Sequence, residues 1–279
     1  MKNRELEDGI HTKLSRDDDY GGYLQLDQLL NAQHPLSDPP HHDEMLFIIQ
    51  HQVAELWIKL IIHETRRAIE LFNRDELAPA VKTLSRMRHI QSQMYAMWGV
   101  LDTLTPAEYS EFRHVFGNAS GFQSAQYRLL EFMLGSKHRS SLKVYEHLPD
   151  WHRQLVDALN SPSLYDAFLI HLKRAGLPIP DSVVDRDFSE MRDEDPDVVA
   201  ALADIYEDTS KHWVYYEICE AFMDINNNFQ FWRFHHLKTV ERIIGHKAGT
   251  GGSSGVEFLK KAIDWDFYPE LIKVRTEMA

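Results

Sequence analysis

FMDINNNFQFWRFHHLKTVERIIGHKAGTGGSSG, residues 222–255, decides how the rest of the chain is read. Within it Phe222, Ile225, Phe229, Trp232, His236, Thr239 and Ile243 recur at steps of three and four. That spacing puts them on one face of an α-helix turned toward a core. His236 stands on this face where a Leu or Phe is expected. Its neighbour His235 is turned about 100° away, toward the helix flank. The pattern stops at Gly245, and Gly249-Thr250-Gly251-Gly252-Ser253-Ser254-Gly255 follows, a loop too rich in glycine to hold one shape unaided. An inward imidazole beside such a loop suits a metal-bearing cofactor held under a lid. It equally suits a hydrogen-bonded core histidine beside a plain connector. Partners elsewhere in the chain must decide.

A second helix supplies one. From about Asp43, with Asp43 and Glu44 suited to the positive helix N-terminus, Phe47, His51, Ala54, Ile58 and Ile61 form one apolar stripe. Leu46, Ile49, Val53, Leu56 and Leu60 form another. A helix apolar on two faces is expected deep inside a bundle. His51 is again a lone imidazole on an apolar stripe, with Phe47 one turn before it.

Composition bounds the rest. The chain has 279 residues, 43% apolar and 11% aromatic, enough for a large core in one or two domains. With 13 Gly and 11 Pro it favours long helices and few turns. A formal charge of −13 argues against nucleic acid and anionic membranes as partners. One cysteine, Cys219, excludes an intrachain disulfide and any Cys-rich metal site. Met1 to Asp8 holds no apolar leader, and the most apolar run, Met45 to Ile62, is broken by Gln50, His51, Gln52, Glu55 and Lys59. Such a run is not expected to span a bilayer, and the cytoplasm is the default location.

In chain order, Met1 to Asp19 is polar, and Tyr20-Gly21-Gly22-Tyr23-Leu24 reads as a turn with a short helix after it to about Gln33. His34 to Pro40 is a loop. Helices are expected over about Ala78 to Thr103, Thr105 to Phe116 and Ser124 to Leu134. Thr105-Pro106-Ala107-Glu108 is a strong start signal, with Thr as N-cap, Pro in first position and Glu three residues on. On that helix Tyr109 and Arg113 share a face, with Phe116 nearby. Residues 136–200 look irregular, with short helices. From about Asp197 the long helix carrying His236 takes over, and Val256 to Ile263 is a last amphipathic turn or two. No strand pair and no repeat is evident.

Several motifs fail on inspection. His63-Glu64 lacks the second His four residues on that a zinc-protease helix needs. Glu111-Phe112-Arg113-His114 is a single Glu-x-x-His, and a di-iron bundle needs two. His41-His42-Asp43 has the letters of a non-haem iron site, but beside Pro39-Pro40 helix capping explains it better. The glycine loop has no following Lys and no preceding strand, so it is not a phosphate loop. What survives is a set: His51 and His236 as inward imidazoles, the Arg113 fork suited to a carboxylate, Tyr109, the flat walls Phe47 and Phe116, and the hydroxyl of Thr250. Together they suit a small aromatic zwitterion beside a flat cofactor.

Six stretches add a resemblance. Phe47-Ile48-Ile49-Gln50-His51-Gln52, Trp232-Arg233-Phe234-His235-His236 and the glycine loop 249–255 resemble signatures of the tryptophan 2,3-dioxygenase family. So do Tyr20-Gly21-Gly22-Tyr23-Leu24, Pro39-Pro40-His41-His42-Asp43-Glu44-Met45 and Gly121-Phe122-Gln123-Ser124. The likeness covers nearly the whole chain, in the family's order, and is nearest to the bacterial members.

The resemblance implies an all-α fold: residues 1–279 as a single-domain helical bundle with a haem pocket, assembled as a homotetramer. It implies that the arm 1–40 contacts a neighbouring subunit. It implies haem b, with Fe2+ in the active form, and cleavage of the pyrrole ring of L-tryptophan by O2 to N-formyl-L-kynurenine, the first step of the kynurenine pathway. Position by position, His236 matches the axial haem ligand and His51 the distal histidine near the indole nitrogen. Phe47 matches an indole-packing residue, with Phe116 as a further wall. Arg113 matches the carboxylate partner, Tyr109 a residue of the same pocket, and Thr250 the loop residue beside the substrate ammonium. Tyr20 matches a tyrosine given by a neighbouring subunit, and Trp98 and Ser120 residues near the haem. His235 departs from the Arg of close relatives, which leaves the choice of ligand slightly open. A non-haem iron oxygenase and a non-catalytic haem carrier are the alternatives.

Overall fold

The computed structural model describes residues 6–16 and 18–278. Residues 1–5, 17 and 279 lie outside the described residues, and so does that much of the expected N-terminal arm. The elements are α1 (Tyr20–Leu24), α2 (Leu26–Leu29), α3 (His42–Asn73), α4 (Leu77–Ala96), α5 (Trp98–Leu101), α6 (Pro106–Phe112) and α7 (Ala125–Leu134). Then come α8 (Pro149–Asn160), α9 (Leu164–Arg174), α10 (Asp181–Val184), α11 (Pro196–Glu207), α12 (Trp213–Ile244), α13 (Val256–Ile263) and α14 (Pro269–Glu277). Short 3-10 turns occupy Arg113–Phe116, Gly121–Gln123 and Arg139–Tyr145. Among the described residues there is no strand, as an all-α reading requires.

Local chemistry sets the ends of the elements that carry the site. The His41 ring accepts the Asp43 N–H at 3.2 Å and so caps α3, while Asp43 and Glu44 occupy its first turn. Thr105 and Glu108 close a capping box at the start of α6, where Pro106 needs no N–H partner. The long helix α12 stops at Gly245, whose φ of 60° a residue with a side chain rarely adopts.

The bundle is built on α3, α4 and α12, with α4 packed between the other two, and α7 and α9 closing over α3. Phe72, Phe168 and Phe222 meet at its centre with centroids 5.3–6.2 Å apart, each without exposed surface. Burying a ring of this size contributes roughly 1.5–3 kcal/mol. A buried ion pair crosses the core. Arg233 of α12 donates to Glu131 of α7 at 2.9 Å, to the Tyr127 hydroxyl at 3.0 Å, and to the carbonyls of Ala262 and Trp265 at 3.1 and 3.2 Å. The chain beyond the glycine loop is thereby fastened to α12.

The structure differs from the sequence-based reading in several places: the helix expected over 78–103 breaks at Met97 into α4 and α5, and that expected over 105–116 turns 3-10 from Arg113. The segment expected to be one helix from Asp197 is two, α11 and α12, broken over 208–212 where Asp208 accepts from Ser210 and Lys211. Residues 136–200 hold two regular helices, α8 and α9, whose Leu155, Leu159, Leu164 and Phe168 are in the core; the stretches 136–148 and 175–195 have only a 3-10 segment and the one-turn α10 between loops. The turn at 20–24 is itself a helical turn, and α14 follows the amphipathic stretch expected to be last. Finally, α3 does not bury both stripes. Ile58 and Ile61 are buried, but Ile49 and Leu56 keep 44% and 46% of their surface, because the segment reaching that side among the described residues, Ala32 and Gln33, bonds Gln52 without covering them. By length and apolarity α3 is the one helix among the described residues that could cross a bilayer. Yet it carries Glu55, Lys59 and a Glu64–Arg86 ion pair, and its other face is bundle core.

Candidate active site

A second, smaller apolar cluster stands apart from the main core. Trp98, Leu101, Leu104 and Phe112 are buried in it, and Phe47, Tyr109, Phe116, Trp232 and Ile243 pack against it. The sequence-predicted walls therefore come together. Phe116 stacks on Phe47 at 4.7 Å and 19°, and Tyr109 lies 5.9 Å from Phe47. Both imidazoles meet this cluster. The His51 ring is 4.1 Å from Phe47, and Trp98 lies nearly parallel to His236 at 5.0 Å and 14°.

The two histidines differ in what their nitrogens do. His51 Nδ1 donates to the Phe47 carbonyl at 2.7 Å, one turn back on α3. That fixes the tautomer and leaves Nε2 as an acceptor. His236 has no hydrogen bond to any described residue. Both rings are half-buried: protein surrounds them, yet neither is packed shut. Burial drives the pKa of His236 down to about 4, helped by the nearness of His51. Burial also lowers that of His51, against the Phe47 carbonyl and Glu55, which act the other way. At neutral pH both are uncharged, which is the form that ligates a metal.

His235 is engaged elsewhere. Its Nε2 donates to Asp102 at 2.8 Å, and it faces the flank as the helical stripe requires. Of the adjacent pair, His236 has neither ring nitrogen engaged by a described residue, whereas His235 has Nε2 engaged and only Nδ1 without a partner.

Tyr109, Arg113 and Thr250, the polar candidates of the sequence reading, gather at the end of α12. An open cavity of about 450 Å³ is lined by Tyr109, Arg113, Gly117, Ile243, Lys247 and Thr250. Arg113 Nη2 donates to the Ala248 carbonyl at 2.6 Å, while its Nε is buried without a partner. Thr250 Oγ1 donates to the Ala119 carbonyl at 2.5 Å. Ser120 lies beneath the same loop: a Cβ on Gly251 would come within 2.7 Å of the Ser120 Cβ and 2.4 Å of the Phe122 ring. Only glycine lets the loop approach so closely. Phe47, His51 and His236 do not line this cavity.

Tyr20 is not brought to the site. It sits on α1 with 76% of its surface exposed and touches none of these residues by ring contact or hydrogen bond. The sequence reading also missed Asp102, Gln50 and Lys247. Asp102 carries no local signal, since its partners lie more than a hundred residues away on α12.

The donor set fits a haem. A neutral imidazole without a hydrogen-bond partner faces a flat aromatic cluster, and beside it Trp98 Nε1 and Trp232 Nε1 are buried donors with nothing to bond. Buried donors are normally satisfied, so their number here points to a polar, planar group. A non-haem iron centre fits worse. Among the described residues no three of His, Cys, Asp and Glu gather to hold an ion, and His41 pairs with Glu111 at 3.0 Å.

Comparison with known proteins agrees. The family model described as tryptophan 2,3-dioxygenase matches residues 5–162 and 159–278. A tryptophan 2,3-dioxygenase of Serratia proteamaculans is 52% identical over 278 residues, covering 100% of this chain and 99% of that protein. Those of Myxococcus xanthus and Bacillus thuringiensis are each 52% identical, over 278 and 273 residues, covering 100% and 98% of this chain and 96% and 97% of theirs. With its whole length matched and its two neutral histidines on one aromatic cluster, the chain belongs to the tryptophan 2,3-dioxygenase family.

Proposed function

We propose that His236 holds the iron of haem b, Fe2+ in the active form, and that His51, Arg113 and Thr250 place L-tryptophan on the opposite side. As a member of its family the chain is an oxidoreductase that opens the indole ring of tryptophan with O2, the first step of the kynurenine pathway. Both oxygen atoms enter the product, N-formyl-L-kynurenine, as the C2–C3 bond breaks. The observation that carries the residue assignment is a half-buried, uncharged His236 with no hydrogen-bond partner among the described residues.

Bound haem would supply the oxygen chemistry. The protein supplies position. With its Nδ1 held by Phe47, His51 offers the Nε2 lone pair to the indole N–H, and its lowered pKa keeps that lone pair free. The empty Nε donor of Arg113 can take the amino-acid carboxylate, a pairing stronger than its present bond to a neutral carbonyl. The Thr250 hydroxyl can turn from Ala119 to the substrate ammonium. Phe47, Phe116 and Tyr109 enclose the indole, and Trp98 and Ser120 border the haem. Holding the reacting carbons in one place converts a bimolecular encounter into an oriented one. Closing the glycine loop excludes water.

The assembly belongs to the same reading. A homotetramer would cover the apolar stripe that α3 leaves bare, and would let Tyr20 of the N-terminal arm reach a neighbour's site. Residues 1–279 then act as one helical domain in the cytoplasm, with no membrane or nucleic-acid partner.

The test is an absorption spectrum of the purified, reduced protein with and without L-tryptophan, followed by an absorbance assay for formylkynurenine. A Soret band that shifts with tryptophan, and product formed under O2, support the reading. Purified protein that takes up no haem on reconstitution overturns the cofactor; haem without product leaves a haem carrier instead.

A further inference from the structure

The immediate neighbours of both histidines are fastened to one short segment, Met97–Asp102. On the α3 side, Gln50, which precedes His51, donates through Nε2 to the Met97 carbonyl at 2.6 Å. On the α12 side, Asp102 accepts from His235 Nε2 at 2.8 Å and from Thr239 Oγ1 at 2.6 Å. These two bracket His236 along the helix, one residue before it and three after. Between the anchors lies Trp98, parallel to His236 at 5.0 Å. Thr239 is 2% exposed and Gln50 8%, while the Asp102 side chain keeps 25% of its surface, so the anchors are partly shielded from water.

We infer that Asp102 is the positioning residue for His236. Its carboxylate grips α12 on both sides of that imidazole and fixes the helix rotation, hence the direction in which His236 points. Through Trp98 and Met97 it also sets how that ring stands relative to His51. One bond would leave α12 free to roll about the contact; two, on side chains roughly 40° apart around the helix axis and a turn apart along it, prevent the roll. The carboxylate is bonded to His235 and Thr239, not to His236, and acts through those neighbours. The inference rests on His236 being the axial ligand.

The experiment uses the full-length protein reconstituted with haem, in the variants Asp102→Ala, Asp102→Asn and Thr239→Val. Outer partners of metal ligands typically contribute 10–100-fold to affinity, so Asp102→Ala is expected to release haem to an acceptor protein roughly ten-fold faster. It should also shift the iron–histidine stretching band of the reduced protein and lower kcat with little change in the tryptophan KM. Asp102→Asn keeps an acceptor oxygen and should recover most of both effects. Thr239→Val keeps the shape, loses one donor, and should show part of each. It also serves if Asp102→Ala does not fold. In the haem-free protein, the His236 ring resonances should move in Asp102→Ala.

A lowered melting temperature with unchanged haem release, stretching band and His236 resonances overturns the proposal and leaves Asp102 a merely stabilising residue. Failure of the ligand assignment is separate: His236→Ala would then retain haem as well as the parent does.

Discussion

His51 Nδ1 is bonded to the carbonyl of Phe47, 2.7 Å away, so the residue proposed to wall the indole also selects the tautomer of the histidine proposed to face it. His51→Ala is expected to leave haem in place, because His236 lies on a different helix, and to slow turnover by roughly 10–100-fold, the range of one lost charge-neutral hydrogen bond plus lost orientation. Stopped-flow kinetics with a parallel Soret measurement checks both. Loss of haem in this variant contradicts the distal role.

His236→Ala is expected to abolish stoichiometric haem retention while the haem-free chain folds as before. The ring makes no hydrogen bond whose loss would strand a partner. Haem content by pyridine haemochrome and circular dichroism of the same sample decide it. Normal haem content would falsify the assignment.

Arg113→Ala should raise the tryptophan KM roughly 10–100-fold, since a charged hydrogen bond to a carboxylate is worth about 1.5–3 kcal/mol and the substrate carboxylate is left unpaired. Indole-based substrates lacking the carboxylate should be insensitive to the change. Equal losses for both substrate classes would count against the pairing.

Gly251→Ala should also raise KM, by another route. The added Cβ would sit 2.4 Å from the Phe122 ring and 2.7 Å from Ser120 Cβ, so the loop cannot settle where Thr250 meets Ala119. Hydrogen exchange over 249–255 should quicken in the variant, with the haem spectrum unchanged. Unaltered exchange and KM refute the close approach.

Lys137 predicts a pH effect on stability away from the site. It is 3% exposed, donates to the Ala158 and Ser161 carbonyls at 2.6 and 2.8 Å, and burial pushes its pKa down to about 8. The unfolded chain holds this proton up to about pH 10.4, so between the two values the unfolded state binds more protons than the folded one. Stability from this group therefore rises as pH goes from about 8 to about 10.4, by about 3 kcal/mol at most, and the cost is fully present below pH 8. Denaturant melts of the parent and of Lys137→Met across this range check it: the rise should vanish in the variant.

Much of this molecule was legible along the chain. Steps of three and four placed His236 beside Trp232 on α12, as the structure has them, because helix geometry alone determines which side chains share a face. The capping box at Thr105, the His41 cap and the stop at Gly245 were local for the same reason: their partners are within a few residues. The motifs around Phe47, Trp232 and the glycine loop carried the family. Tertiary structure alone decided what depends on distant partners. Asp102 reaches His235 and Thr239 across more than a hundred residues, and the outer stripe of α3 is left bare where sequence expected burial. The pattern of a helix reports which residues face together, whereas what lies opposite that face is fixed only when the other helices have packed.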